Sequence, residues 1–171
     1  EYTKNIALWL QCIDDIFIVW NGTCTQGEEF IKIINSNSFN LKFTSRMESR
    51  STDFLDIKIT IRNNKFETCL FKKATAGNTL LHAQSHHPYT LKQSVPYGEF
   101  LRAKRNCSSE KEYLKEESCM QMRFAESGYS KKTFSWAKDR IKSKTRDELL
   151  YGSKPKNTDE NTVRFITSFN R

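Results

Sequence analysis

A chain of 171 residues, 37% hydrophobic and 28% charged with few glycines and prolines, can bury one core or two small neighbouring ones, so disorder throughout is excluded. No run approaches the ~18 apolar residues that a membrane helix needs, and Glu1 opens nothing resembling a signal peptide. The net charge is +8, and five cysteines without C-x-x-C spacing argue against both a zinc site and a disulfide framework, which favours a reducing, intracellular setting in nucleus or cytoplasm.

Residues 6–20 form a mostly apolar run, rich in β-branched and aromatic residues and interrupted by Asp14-Asp15. The pattern predicts a β-hairpin with the two acids at its turn. After the Gly22 turn, Phe30, Ile33 and Ile34 recur at helical spacing, which predicts a helix over Gln26 to Ser36. Leu41 and Phe43 then suggest a short strand. From Leu55 the chain alternates, with Leu55, Ile57, Ile59 and Ile61 on one face and Asp56, Lys58, Thr60 and Arg62 on the other. A two-residue hairpin through Asn63-Asn64 should return the chain as a strand over Lys65 to Lys72.

Beyond a connector at residues 74–94 the periodicity is helical. Pro96 suits a first helical position, in a helix through Phe100, Leu101 and Arg105 that stops near Cys107. Ser109-x-x-Glu112 has capping-box spacing and opens a second helix lined by Tyr113, Met120 and Phe124. Gly128 is placed to end it, and Ser130 opens a third helix carrying Phe134, Ala137 and Ile141. Past Gly152 the chain turns polar and reads as a linker or frayed tail over residues 153–171. Residues 88–156 hold 16 Lys/Arg against 9 Asp/Glu, whereas residues 1–87 hold 10 against 9. Cations segregated in this way favour a polyanion-binding face, since clustering gains from counterion release. The plain alternative is a soluble basic helical domain.

Two carboxylates at a hairpin tip can approach a Mg²⁺ ion, which prefers oxygen ligands and brings substrate phosphates with it. The run Cys12-Ile13-Asp14-Asp15-Ile16-Phe17-Ile18-Val19-Trp20 resembles the x-x-Asp-Asp hairpin of reverse transcriptases, especially those of Penelope-like retroelements. The resemblance continues in order through Asn40-Leu41-Lys42-Phe43-Thr44, Thr52-Asp53-Phe54-Leu55-Asp56-Ile57, Leu70-Phe71-Lys72-Lys73 and Ser85-His86-His87-Pro88. It implies an α+β fold: an antiparallel palm-like sheet with a packed helix over residues 1–84, then a helical, thumb-like segment over 85–152. It also implies an RNA-directed DNA polymerase, with Asp14 and Asp15 as catalytic, metal-binding carboxylates and Lys42 near the incoming nucleotide. Mg²⁺ would be the cofactor; DNA, RNA and deoxynucleoside triphosphates the partners; no membrane is involved.

Two departures bear on activity. Gln11-Cys12 stand where the family usually has an aromatic residue, often preceded by arginine. The palm strand bearing a further metal-binding aspartate belongs upstream of residue 1, so the chain is expected to be a fragment and inactive alone. From Ser85 to about Tyr151 the sequence resembles the helical segment that follows the palm in such elements, also described as an animal helix-turn-helix domain. The residues that carry this are Val95-Pro96-Tyr97, Leu101-Arg102-Ala103-Lys104-Arg105-Asn106-Cys107-Ser108 and Phe124-x-x-x-Gly128-Tyr129-Ser130. Arg102, Lys104 and Arg105 would contact phosphates if their helix faces nucleic acid, and otherwise form a solvated cationic face. For Leu55 core packing is the stronger reading, and for His86 and His87 a turn role. The alternative to a polymerase fragment is a non-catalytic nucleic-acid-binding helix-turn-helix module derived from a retroelement.

Overall fold

The computed structural model describes residues 2–73 and 75–152, so the expected polar tail lies outside the described residues. The fold is α+β, with two small antiparallel sheets and five described α-helices, four of them in the second half. The chain divides into two compact units, one ending at Phe66 and the other beginning at Glu67.

In the first unit, β1 (Ile6–Cys12) and β2 (Asp15–Trp20) pair as an isolated two-stranded sheet, with Cys12 opposite Asp15. α1 (Cys24–Asn35) starts two residues earlier than its apolar periodicity indicates, because Thr23 and Gln26 close a reciprocal capping box. Tyr2, Trp20 and Phe30 cluster beside it with ring centroids 5.4–6.4 Å apart. Gly27 is buried, and a Cβ there would stand 2.7 Å from Met47 Cε, so the thioether packs where only glycine leaves room.

The strand expected around Leu41 and Phe43 does not form. The Asn35 side-chain amide instead binds both backbone groups of Phe43, at 2.6 and 2.9 Å, in place of a neighbouring strand. A second sheet has the order β3-β4-β5, from β3 (Ser51–Phe54), β4 (Ile57–Arg62) and β5 (Lys65–Leu70). Asn63 and Asn64 both have positive φ, as the two-residue hairpin requires. Leu55 is corrected from core to turn. It lies at φ 54°, half exposed, and with Asp56 joins β3 to β4.

The second unit is built on helices. α2 (Tyr89–Asn106) begins seven residues before Pro96, which is therefore interior and fully buried rather than at the first turn. Its burial accompanies the loss of the N–H that the Lys92 carbonyl would otherwise accept. α3 (Glu110–Glu126) is capped by Ser109, whose hydroxyl accepts from the Glu112 N–H at 3.3 Å. α4 (Lys131–Lys142) is capped by Ser130, and the short α5 (Arg146–Tyr151) by a Thr145/Glu148 capping box. Phe124 lies at the centre of the core, with the rings of Phe100, Tyr129 and Phe134 at 5.5, 5.7 and 6.4 Å. Met120, Ala103, Ala137 and Ile141 are buried in the same core. Truncating a buried phenylalanine to alanine typically costs about 3–5 kcal/mol.

Candidate nucleic-acid interface

The turn between α3 and α4 is built from sequence-local chemistry. Gly128 adopts φ 78°, the Tyr129 N–H returns to the Phe124 carbonyl at 2.9 Å, and the Gly128 N–H returns to that of Ala125 at 3.0 Å. These two bonds satisfy carbonyls that the end of α3 would leave orphaned. The connector ahead of α2 is pinned onto the same turn. Asn78 donates to the Arg123 carbonyl at 2.8 Å, and the Ala83 N–H donates to that of Ser127 at 2.9 Å. Across the turn, Lys138 of α4 meets the buried Glu117 of α3 at 2.6 Å. An ionic contact between helices thus reinforces the apolar one. The Tyr113 phenol also bonds to Glu117; burial first, then the Glu117 charge, pushes it well above the usual tyrosine range.

Residues 79–138 match the family model of the animal helix-turn-helix domain. The match takes in α2, α3, the Gly128 turn and the first eight residues of α4. A search of curated proteins and one of solved structures gave no match.

α3 and α4, joined by a short glycine-containing turn, form a helix-turn-helix. Here the second helix is α4. Its buried face is Phe134, Ala137 and Ile141, and its outer face exposes Lys131, Lys132, Ser135, Trp136, Asp139, Arg140 and Lys142. Lys132, Trp136 and Arg140 recur at intervals of four and so share one side. The Arg140 guanidinium lies 5.1 Å from the Trp136 ring centroid and 5.9 Å from that of Tyr97. Lys132 and Arg140, about 12 Å apart along the helix axis, can reach phosphates of one nucleic-acid backbone.

The three cations of α2 singled out in the sequence are not brought together as one face. Arg102 is partly buried and meets Glu99 at 3.6 Å. Lys104 is committed to packing: its ammonium lies 3.3 and 3.4 Å from the Ile141 and Lys142 carbonyls at the end of α4 and 5.6 Å from the Tyr113 ring centroid. Arg105 is exposed, while its carbonyl accepts from Arg146 Nε at 3.1 Å. The period that marks Phe134, Ala137 and Ile141 as core also sets Lys132, Trp136 and Arg140 on the complementary face of α4.

In the first unit, Asp14 and Asp15 are both exposed at the β1–β2 turn. The hairpin is not in one sheet with β4, although the rings of Phe17 and Phe54 lie 5.6 Å apart. Ile13 precedes the acids at φ 56° and is 88% exposed. The two-residue loop between Cys12 and Asp15 requires positive φ at its first residue, unfavourable though that is for a β-branched side chain. Lys42 is exposed and lies in no strand; its ammonium is 3.4 Å from the Asn35 carbonyl, at the negative end of α1. His86 and His87 are exposed in the bend before α2. Among the described residues, no three His, Cys, Asp or Glu side chains gather where they could hold a metal. No described helix is long and apolar enough to cross a membrane.

Proposed function

We propose that the chain binds duplex DNA through its helix-turn-helix domain, with α4 as the helix laid against the nucleic acid. The observation that carries this reading is the exposed row Lys132, Trp136 and Arg140 on α4, the helix on which the matched residues end. Lys132 and Arg140 contribute phosphate contacts, which give affinity and register without reading sequence. Lys131 and Ser135, at the start of α4, are where helix-turn-helix domains make base contacts. An anisotropy titration with duplex DNA tests the reading. Lys132→Gln with Arg140→Gln should weaken binding at least tenfold and reduce the slope of log affinity against log salt by about two, since roughly 0.9 is lost per phosphate contact. Wild-type affinity in this double variant would remove α4 from the interface.

A second reading, that the first unit is part of a reverse-transcriptase palm, is favoured by the Asp14–Asp15 hairpin. Both carboxylates are exposed behind a strained Ile13, and Leu8, Trp9 and Leu10 on β1 stay 41–48% exposed, as strands awaiting a larger sheet would. In that reading Asp14 and Asp15 are metal-binding carboxylates, Lys42 lies near a nucleotide, and RNA and deoxynucleoside triphosphates are ligands of the parent enzyme. An adjacent pair does not suffice for two shared ions, so the chain's own described residues do not complete a magnesium site. Primer extension by the chain together with whatever precedes it in its reading frame, abolished by Asp14→Asn, would support this reading. Extension unaffected by that substitution would refute it.

A further inference from the structure

The C-terminal end of α4 opens into a cavity of about 280 Å³, bounded by the end of α2, the start of α3 and the α4–α5 turn. Its wall holds four cations, Lys104, Lys142, Lys144 and Arg146, against the single carboxylate of Glu110. Clustered like charges repel, and the acids nearby relieve them only in part. Glu110 stands in the wall, and Glu148, whose carboxylate accepts the Thr145 N–H at 2.7 Å, interacts with Lys144 and Lys104 from its cap. That carboxyl is held below its ordinary range, first by the Thr145 backbone and side chain and then by Lys144 and Lys104. The cationic field therefore persists, and two of its sources are fixed in place. Lys104 is held by two carbonyls of α4, and the Arg146 guanidinium by the Arg105 carbonyl. Preorganised cations give up little entropy when an anion arrives.

We propose that this cavity is a phosphate-binding site, filled by one phosphate group of the nucleic acid that lies along α4. The occupant's identity as nucleic acid rests on the DNA-binding reading above. Four cations against Glu110 in the wall and Glu148 beside it still leave an excess of positive charge, which a phosphate diester partly neutralises and a terminal monoester neutralises further. Proximity supports the source: Lys132 to Arg140 spans eight residues, about 12 Å of helix at 1.5 Å per residue, and Lys142 in the cavity wall follows Arg140 by about 3 Å along the axis and roughly half a turn round it. A strand that lies along the row and crosses the C-terminal end of α4 would reach the cavity.

Amide chemical shifts of the full chain, titrated with inorganic phosphate at ionic strength held constant with chloride, test the site directly. Saturable shifts are expected at Ser109, Lys144 and Thr145 and should weaken at least fivefold in Lys142→Gln with Lys144→Gln. These two side chains are chosen because neither has been assigned a packing role, and the thermal midpoint of the variant verifies its fold. The same variant should bind duplex DNA several-fold more weakly with a salt slope shallower by about one. Duplexes with and without a 5′-phosphate separate the two sources. A preference for the phosphorylated end, lost in the variant, identifies a terminal group, and no preference identifies a backbone diester. Absence of saturable shifts at the cavity, or phosphate affinity unchanged in the variant, overturns the site even if DNA still binds through α4. Saturable phosphate binding by a chain that ignores DNA overturns the DNA-binding reading instead, and with it the nucleic-acid source.

Discussion

Tyr113 and Tyr129 are both buried in the second unit, yet their hydroxyls differ. The Tyr113 hydroxyl bonds to Glu117, whereas that of Tyr129 is buried without a hydrogen-bond partner. A buried donor left unpaired costs about 1–3 kcal/mol, and removing it recovers part of that cost. Tyr129→Phe should therefore be neutral or stabilising by up to about 1 kcal/mol, and Tyr113→Phe destabilising by a similar amount; urea midpoints measure both. Burial also raises both phenols above their ordinary value near 10. The unfolded chain then releases these protons first as pH rises. The associated stability is complete below the unfolded value and is lost above it, so the melting temperature should fall as pH passes 10, less steeply in the Tyr113→Phe variant. An absorbance titration showing all six tyrosines ionising together in the folded chain would contradict this.

At the scale of elements, the turn between α3 and α4 makes the sharpest demand on sequence. Gly128 combines φ 78° with a tight neighbour, because a Cβ there would stand 3.1 Å from His82 Cε1. Gly128→Ala should cost about 1–2 kcal/mol from the left-handed conformation alone, and loosen α4 relative to α3. Chemical denaturation gives the loss, and a wild-type midpoint would show the turn to be less constrained than its geometry implies. This turn was legible in the sequence, as were Ser109, Ser130 and the Asn63-Asn64 hairpin, because each rests on a residue whose own backbone preference matches its position. Where structure depends on tertiary contact, legibility stopped. Leu55 and Ile13 occupy positive φ against their propensities, which concealed β3 and the geometry of the Asp14 turn. The Asn35 amide replaces the strand partner of Phe43, and Pro96 is kept inside α2 by complete burial. The candidate site was legible only as a charge excess, since Lys104 looks like a surface cation until its α4 carbonyl partners are seen.

Charge divides the molecule along the boundary between its two units. The unit ending at Phe66 contains eight cationic and eight acidic side chains, while residues 67–152 contain 16 and 10. A polyanion is therefore attracted to one unit and is nearly indifferent, at long range, to the other. Short contacts at α4 and its cavity would neutralise roughly three phosphates, for a salt slope of about −3, and affinity should fall roughly 40-fold between 50 and 200 mM salt. The same number of charges removed from each unit should then have unequal effects. Lys58→Gln with Lys65→Gln, on exposed strand positions of the first unit, should leave DNA affinity within about twofold and the slope unchanged, because those cations are balanced locally. Lys132→Gln with Arg140→Gln removes equal charge from α4 and should weaken binding tenfold or more. Titrations of both double variants over one range of salt make the comparison. Equal losses would mean that net charge alone drives association, and that neither α4 nor its cavity forms a defined interface.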